Sequence, residues 1–441
     1  MNGNDRNAAV LSADEASARF QKVKAIVHQR LIDVLDLAEA QRMSPDQLRA
    51  ECTRRVDRLL TEQGCPLSAP EKQGLIQEII DEIFGLGPLE ELLRDPNVSD
   101  ILVNGPNKVY VERHGRLERT DVSFRDNAHV MRVIQRIAIR VGRRIDDSSP
   151  MLDARLTDGS RVNAIIPPIS LVGPCLSVRR FGAIPIEAAD LVRFGTLTDD
   201  MLVFLKACVQ CKVNILISGG TGAGKTTFLN VLSKSIPTNE RVVTIEDAAE
   251  LRLPHEHVIT LETRPPNVEG RGEVTQRDLL RNTLRMRPDR IVIGEVRGPE
   301  TLDMLQAMNT GHEGSMTTVH ANNPRDALRR LENMVSMAGL NYPVEVIRHQ
   351  IASALNVLVH IARLTGGRRK VVELAEITGV ENGTILLQDL FRFHQRGIDE
   401  HGNAKGEFER RGVRPHLLER LESLGVKLPA ELFMRPATRG A

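Results

Sequence analysis

The sequence Gly219-Gly220-Thr221-Gly222-Ala223-Gly224-Lys225-Thr226 fits the phosphate-loop pattern G-x-x-x-x-G-K-[ST] and is the strongest signal in the chain. An apolar run over residues 213–217 predicts a buried strand before it, and apolar residues spaced over 228–232 predict a helix after it. Glycines let backbone N–H groups turn toward a phosphate, and the helix N-terminus adds the positive end of its dipole. Lys225 would reach the β- and γ-phosphates, and the Thr226 hydroxyl would ligate Mg²⁺. The chain is therefore predicted to bind a nucleoside triphosphate with magnesium.

Two groups of acidic residues follow predicted strands downstream of this loop. One apolar strand run ends at Glu295, as expected for a Walker B segment, and another is followed by Glu246, Asp247 and Glu250. Acids at the carboxyl ends of parallel strands point into the ligand crevice of such a sheet. Glu295 could hold the water shell of the metal or polarise the attacking water, whereas any of these acids alone could be a helix cap or a solvated turn residue.

Two histidines, His312 and His320, lie in a segment rich in glycine and threonine that follows the Glu295 strand. Their position indicates phosphate sensing. The alternative, a metal site, is less favoured because no cysteine or acid spacing completes a ligand set.

The chain before the phosphate loop is predicted to form two regions and a connector. Residues 1–85 are predicted to be helical, with an apolar stripe over 20–38 and a capping box formed by Ser68 and Glu71. Residues 86–184 alternate strand and helix patterns and are predicted to form a smaller α+β domain. Residues 185–198 contain glycine and proline with little periodicity and are predicted to be a linker.

The remainder is predicted to form an α/β domain and a tail. Residues 199–391 alternate apolar strands with helical patterns, which is typical of a mainly parallel sheet with crossover helices. Residues 392–441 are polar and interrupted by prolines, and they are predicted to be a docking extension.

Between Arg113 and Arg180 the chain contains 13 arginines, no lysine and 7 acids. Most of these arginines are expected to lie on a solvated surface. The exclusive use of arginine nevertheless indicates phosphate pairing, because the planar guanidinium matches phosphate oxygens in a way that lysine does not.

Composition excludes several classes of protein. The net charge of +1 argues against a protein held on nucleic acid or lipid by bulk charge, and 3% aromatic residues with no tryptophan disfavour a base-stacking surface. Five cysteines are too few for a disulfide scaffold, and neither a signal-peptide profile nor a membrane-length apolar run is present. We therefore expect a cytoplasmic protein.

The chain resembles the type II/type IV secretion and pilus-assembly (GspE-like) ATPase superfamily in GGTGAGKTT, TIEDAAEL and RPDRIVIGEVRGPETLDMLQAMNTGHEGSMTTVHANNPRDALRRLE. Within it, the chain is most similar to the CpaF/TadA-type ATPases of tight-adherence (Flp) pilus assembly. That similarity extends to LEELLRDPNVSDILVNGPNKVYVERHG, DGSRVNAIIPP and LFRFHQRGIDEHGNAKGEFERRGVRPHLLERL.

The resemblance implies a RecA-like P-loop ATPase domain preceded by a smaller α+β domain whose arginines reach the nucleotide. It implies a Walker A loop from Gly219 to Thr227, an Asp box whose Glu246 could polarise water, and a Walker B glutamate at Glu295 that would share the metal with Thr226. His312 and His320 would form the His box. By position, the nucleotide-facing arginines would be Arg155, Arg161 and Arg179.

The implied function is a hexameric, Mg²⁺-dependent ATPase that binds ATP between its domains and drives pilin assembly or secretion. Its partners would be identical subunits and inner-membrane platform proteins, with peripheral membrane contact and no stable nucleic acid. Which acid polarises the water stays open.

Two departures favour the tight-adherence branch over general secretion: no cysteine follows the Walker B segment to build a zinc insert, and the Asp box reads EDAAE. Three alternatives remain: a conjugative type IV secretion ATPase, a RecA-like nucleic-acid translocase, and a nucleotide-gated scaffold without turnover.

Overall fold

The computed structural model describes residues 45–62, 68–113, 115–180, 186–266 and 270–434. The amphipathic helix predicted over residues 20–38 lies outside these ranges. The chain divides into two compact units, Met1–Arg113 with Leu117–Phe181, and His114–Arg116 with Gly182–Ala441. This division falls close to the boundary predicted after residue 184.

The described part of the first unit contains these helices and strands, numbered in chain order: α1 (Pro45–Glu62), α2 (Ala69–Phe84), α3 (Leu89–Arg94), β1 (Val98–Asn104), β2 (Val109–Arg113), β3 (Arg116–Arg119), α4 (Asn127–Arg140), β4 (Met151–Arg155), β5 (Arg161–Ile165) and β6 (Cys175–Arg179).

Helix α2 begins and ends where its sequence signals predict. The Ser68 side chain accepts a hydrogen bond from the backbone N–H of Glu71, and the Glu71 carboxylate accepts one from the Ser68 N–H at 2.8 Å. Gly85 ends the helix. Helices α1 and α2 pack together around a small apolar core: Cys52, Val56, Leu60, Leu75, Ile76 and Ile79. The helical character predicted for this region is thus confirmed for its described residues.

The described part of the first unit also contains one six-stranded sheet, in the order β3-β2-β1-β6-β5-β4. Helix α4 is N-capped by Asp126, whose side chain accepts from the His129 N–H. Its apolar face shares one core with the sheet: Val130, Val133, Ile134 and Ile137 from the helix, and Ile101, Val103, Val162 and Val178 from the strands. The Arg136 guanidinium donates to the Gly85 carbonyl at 2.6 Å, so α2 is tied to this α+β body.

The described part of the second unit contains these elements: α5 (Ala188–Arg193), α6 (Asp199–Gln210), β7 (Ile215–Gly219), α7 (Lys225–Ser233), β8 (Val242–Glu246), β9 (Val258–Glu262), α8 (Gln276–Thr283), β10 (Arg290–Ile293), α9 (Glu300–Asn309), β11 (Met316–His320), α10 (Pro324–Ser336), α11 (Val344–Ala354), β12 (Val357–Arg363), β13 (Arg369–Glu381), β14 (Thr384–Ile398), β15 (Ala404–Arg410) and α12 (Leu417–Ser423).

Its nine strands form one sheet in the order β15-β14-β13-β12-β7-β11-β10-β8-β9. The six strands β12, β7, β11, β10, β8 and β9 pair in parallel with their neighbours. Strands β13, β14 and β15 extend the β12 edge of the sheet and pair antiparallel. Parallel strands are covered on both faces and therefore read as continuous apolar runs. β7, β8 and β10 are buried along their whole length, in agreement with this rule.

Helices pack on both faces of this sheet, and each face has its own apolar core. Residues of α5, α6, α7 and α12 share one core, for example Leu191, Phe204, Phe228 and Leu421. Residues of α8, α9, α10 and α11 share the other, for example Leu280, Leu305, Leu331 and Ile351. The predicted α/β class is confirmed: a RecA-like P-loop domain with a mainly parallel sheet follows an α+β domain. Because the parallel strands run the same way, their carboxyl ends meet at one edge, where ligands bind in open α/β sheets.

Two predicted boundaries differ from the observed packing. Within the predicted linker 185–198, residues 188–193 form α5, and Leu191 and Leu197 are buried in the core of the second unit. The predicted extension also does not begin at residue 392, because β14 runs through that position and β15 pairs with it. Both segments belong to the second unit, because their apolar side chains, too sparse to show a period, pack into its core.

Among the described residues, no helix combines the length and the apolar character needed to cross a membrane.

Candidate nucleotide-binding site

The phosphate loop joins the end of β7 to the start of α7. β7 ends at Gly219, and α7 begins at Lys225 with Gly224 as its N-cap. Gly222 and Gly224 have φ angles of 69° and 93°, in the left-handed region where a Cβ is strained. At Gly219, a Cβ would lie 2.3 Å from the carbonyl oxygen of Ile361 on β12. Glycine is therefore required at all three positions for this loop path.

Lys225 is buried within the loop rather than extended into solvent. Its exposed fraction is 8%, and its Nζ donates to the Gly220 carbonyl at 3.3 Å. Burial lowers the pKa of Lys225, and the nearby charge of Glu295 opposes that shift. An ammonium group that has lost part of its hydration gains strongly from an anion placed beside it, and the triphosphate would be such an anion.

Glu295 follows β10 and lies among cationic groups. Its carboxylate accepts from Arg297 Nε at 3.1 Å, and the same guanidinium lies 3.4 Å from Asp247 Oδ2. The charge of Glu295 acts on the pKa of both Lys225 and His320. Its side chain stays partly exposed, at 26%, so a ligand or water can reach it.

Glu246 ends the neighbouring strand β8 and has a different environment. It is 3% exposed, and its Oε1 accepts from the backbone N–H groups of Glu250 at 3.0 Å and Leu251 at 3.1 Å. A Cβ at Gly294 would lie 2.9 Å from Glu246 Cγ, so the glycine before Glu295 makes room for this side chain. Glu246 therefore holds the Asp-box loop through its backbone.

His320, at the carboxyl end of β11, is next to the phosphate loop. Its Nδ1 lies 3.5 Å from Thr221 Oγ1, and the N–H of the next residue, Ala321, donates to the Gly219 carbonyl at 3.3 Å. Burial lowers the pKa of His320, and the positive charge of Lys225 lowers it further. His320 thus lies against the phosphate loop, and its lowered pKa favours the neutral ring.

His312 does not join this group. It precedes β11, whereas His320 ends β11, so the two histidines lie at opposite ends of that strand. The loop that carries His312 meets the beginning of β7, where the Ile215 N–H donates to the Ser315 carbonyl at 3.2 Å. The phosphate-sensing position predicted for both histidines therefore describes His320 only, because β11 separates the two residues by its whole length.

Arg155, Arg161 and Arg179 lie side by side in the sheet of the first unit. Arg155 pairs in register with Arg161 on the next strand, and Arg161 pairs with Arg179 on the one after it. Asp100 and Asp153 lie near this row, at 3.2 Å from Arg179 and 3.8 Å from Arg161. Directly opposed residues of neighbouring strands point to the same face, so the three arginines form one cationic row.

Several charged residues near the phosphate loop were missed by the sequence analysis. The charges of Arg297 and Arg330 contribute, after burial, to the lowered pKa of Lys225. Arg363 and Arg369, which pair across the hairpin of β12 and β13, lie against loop glycines. These arginines stand in ordinary amphipathic or turn segments, so no local pattern singles them out.

His360 on β12 was also missed and is buried behind the phosphate loop. Its Nδ1 lies 2.8 Å from the hydroxyl oxygen of Ser218, the residue before the loop, and it also hydrogen-bonds the backbone of Asn322. Burial lowers the pKa of His360 to about 4, so the ring is neutral at physiological pH. A neutral ring that donates to the Asn322 carbonyl accepts from Ser218 through its other nitrogen.

The oxygen donors present at the loop suit magnesium. The Thr226 hydroxyl lies in the first turn of α7, half-buried, and the carboxylates of Glu295 and Asp247 share the guanidinium of Arg297. Mg²⁺ prefers hard oxygen ligands and usually completes its shell with water and phosphate oxygens. The donor set therefore fits a magnesium ion brought in with a nucleotide.

The chain is similar to several known proteins. A Mycobacterium tuberculosis protein named for conjugal transfer is 42% identical over 306 residues, covering 68% of this chain and 86% of that protein. The conjugal transfer protein TrbB of Rhizobium radiobacter is 34% identical over 294 residues, covering 66% and 87%. The crystallised VirB11 ATPase of the Brucella suis type IV secretion system is 31% identical, covering 67% of this chain and 97% of that one, with a TM-score of 0.36. The family described as type II/IV secretion system protein matches residues 82–413. The chain therefore belongs to the type II/IV secretion system protein family.

Proposed function

We propose that this chain is a Mg²⁺-dependent ATPase that powers a secretion or pilus-assembly machine. The observation that carries the proposal is the electrostatic group at the carboxyl ends of adjacent strands. There the Lys225 ammonium donates to the Gly220 carbonyl at 3.3 Å, and His320 Nδ1 lies 3.5 Å from Thr221 Oγ1. Glu295 follows β10, and its partly exposed carboxylate acts on the pKa of both Lys225 and His320. Phosphoryl transfer depends mostly on positioning and charge stabilisation, and this group provides both.

In the proposed mechanism, the loop amides and Lys225 hold the β- and γ-phosphates. Thr226 and Glu295 would hold Mg²⁺, which when bound would neutralise negative charge on the phosphates. Glu295 is the acid assigned to orient the attacking water, because it is partly exposed while Glu246 is occupied by two backbone amides. His320 is assigned to sense the γ-phosphate from its place beside Thr221.

Further positive charge is proposed to come from the row of Arg155, Arg161 and Arg179, since guanidinium groups pair well with phosphate oxygens. The working assembly is proposed to be a homo-hexamer that contacts inner-membrane platform proteins peripherally. Ordering of these arginines around ATP and their release after hydrolysis would supply the mechanical step.

The direct test measures ATP hydrolysis by the purified chain, by Lys225→Ala and by Lys427→Ala, an exposed lysine of the same unit that serves as a matched control. We expect wild-type turnover that requires Mg²⁺, a loss of about 100-fold or more in Lys225→Ala, and wild-type behaviour in the control. Wild-type protein that is folded yet neither binds nor hydrolyses ATP would refute the proposal.

For the machine itself, we propose tight-adherence pilus assembly, supported by the EDAAE Asp box. A conjugative type IV secretion role is the second candidate, favoured by relatives that are named for conjugal transfer. Deleting the gene in its host and restoring it with wild type or Lys225→Ala separates the two. Loss of surface pili supports the first, and loss of plasmid transfer with intact pili supports the second.

A further inference from the structure

The hairpin that connects β12 to β13 lies beside the phosphate loop because of strand pairing. β12 pairs in parallel with β7, and Ile361 is in register with Gly219, the first residue of the loop. Two residues later β12 ends at Arg363, which pairs with Arg369 at the start of β13. The end of β12 and the start of β13 therefore both lie next to the phosphate loop, and each of these strand ends is an arginine.

Arg369 contacts the phosphate loop at two glycines. Its Nε donates to the Gly222 carbonyl at 3.1 Å. A Cβ placed on Gly224 would lie 3.2 Å from Arg369 Cδ, so the aliphatic part of this side chain packs against the N-cap of α7. A Cβ on Gly222 would lie 3.4 Å from Arg363 Nη1, which places the second arginine at the same turn.

A hydrogen bond to the Gly222 carbonyl also orients an amide. In a trans peptide the C=O and the following N–H point in opposite directions, so fixing the Gly222 carbonyl fixes the Ala223 N–H. That N–H points back into the loop and donates to the Gly220 carbonyl at 3.3 Å, the same carbonyl that accepts from Lys225. Gly222 has φ of 69° and lacks a side chain, so this peptide would otherwise be among the freest in the loop.

We propose that Arg369 is a positioning residue for nucleotide binding: its hydrogen bond to Gly222 presets the loop backbone that receives the phosphates. This inference rests on the proposed nucleotide binding and names a residue outside the P-loop motif that the binding depends on. A loop that is already ordered loses less conformational entropy when the phosphates arrive, so the benefit falls on affinity rather than on the chemical step.

The test measures the affinity of Mg-ADP by calorimetry, together with KM and kcat for ATP, in wild type, Arg369→Ala and Arg369→Lys. Arg368→Ala is the matched control, because Arg368 is an exposed arginine immediately before Arg369. We expect Arg369→Ala to weaken ADP binding and raise KM by about tenfold, with kcat at saturating ATP within about twofold. Arg369→Lys should resemble the alanine variant, because lysine keeps the charge but cannot donate from the Nε position.

Each outcome bears on the inference. Wild-type affinity in Arg369→Ala overturns it, and so does full recovery by lysine, which would show that charge alone matters. Equally weak ADP binding by Arg368→Ala also overturns it, because the loss would then come from the overall positive charge of the hairpin. Wild-type protein that fails to bind Mg-ADP counts instead against the proposed function.

Discussion

Glu246 ends β8, and Glu295 follows the neighbouring strand β10 one residue beyond the level of Glu246, so their carboxylates have different surroundings. Glu246 is buried and accepts two backbone N–H groups, which makes it part of the frame of the Asp-box loop. Glu295 is partly exposed and forms an ion pair with the exposed Arg297. The two glutamates therefore differ in burial and in hydrogen-bond partners, although each stands at the carboxyl end of a buried strand.

We predict different losses for the two glutamine variants. Glu295→Gln should keep ATP binding and lose about 100-fold or more in hydrolysis, because the orienting carboxylate is gone. Glu246→Gln should lose about 1–3 kcal/mol of unfolding free energy, because one of its acceptor oxygens becomes a donor facing a buried amide. Hydrolysis rates and chemical unfolding of both variants check this. Greater loss of hydrolysis in Glu246→Gln, with normal stability, would transfer the water-orienting role to Glu246.

His360 gives a prediction about pH. Burial lowers the pKa of His360 to about 4 in the folded chain, below its ordinary value of 6.5. The unfolded chain therefore binds the proton first, so this contribution to stability is complete above about pH 6.5 and is lost as the pH falls toward 4. Between pH 7 and pH 5, wild type should lose about 2 kcal/mol more unfolding free energy than His360→Gln. Denaturant titrations at the two pH values measure the difference, and parallel losses in both proteins would contradict it.

At the level of elements, the antiparallel strands β13–β15 and helix α12 complete the parallel sheet rather than trail from it. Leu417, Leu418 and Leu421 of α12 enter the same core as the P-loop helix. The start of α12 is held by Glu376 of β13, which is 2% exposed. Its carboxylate accepts from the His416 N–H at 2.9 Å and the Leu417 N–H at 2.7 Å. A carboxylate at a helix N-terminus satisfies unpaired amides and favours the dipole.

We predict that Glu376→Ala lowers the unfolding free energy by about 2–3 kcal/mol, because two N–H groups near the core lose their acceptor. Glu376→Gln should lose less, since its amide oxygen still accepts. Glu381→Ala, an exposed glutamate at the end of the same strand, is the control and should change stability little. Chemical unfolding of the three variants is the measurement, and equal stability of Glu376→Ala and the control would contradict the anchoring role.

For the whole molecule, overall charge and composition determine which polymers it can engage. A net charge of +1 gives no bulk attraction for a phosphate polymer, and 3% aromatic residues disfavour the stacking surface that single-stranded nucleic acid uses. The cationic groups of the candidate site are local, around Lys225, and the arginine row of the first unit is local as well. Both are suited to one nucleotide rather than to a polymer.

We therefore predict that single-stranded DNA changes the ATPase rate by less than about twofold at moderate salt. The measurement compares turnover with and without an oligonucleotide at two ionic strengths. Strong stimulation that disappears at high salt would instead support a nucleic-acid translocase.

Much of the fold was predictable because its signals are local. The capping box at Ser68, the cap at Asp126 and the apolar runs before the phosphate loop each encode an element within a few residues. Helix α5 and the end of the sheet were not predictable in this way. Their apolar residues are sparse, and they became part of the core only when the rest of the unit supplied partners.

The amino-acid sequence by itself indicates the phosphate loop, the strand and helix on either side of it, and the family. It also indicates which acids could act on a nucleotide bound there, because all of these depend on residue type and short spacing. Which of the candidate residues lie at the phosphate loop is decided by the pairing of strands that are far apart in the sequence. The register of β12 on β7 brings Arg369 to Gly222, and the direction of β11 carries His320 to the loop while leaving His312 at the far edge. These contacts join residues that are 99 and 147 positions apart in the chain, and they exist only once the sheet has formed, so no local pattern records them.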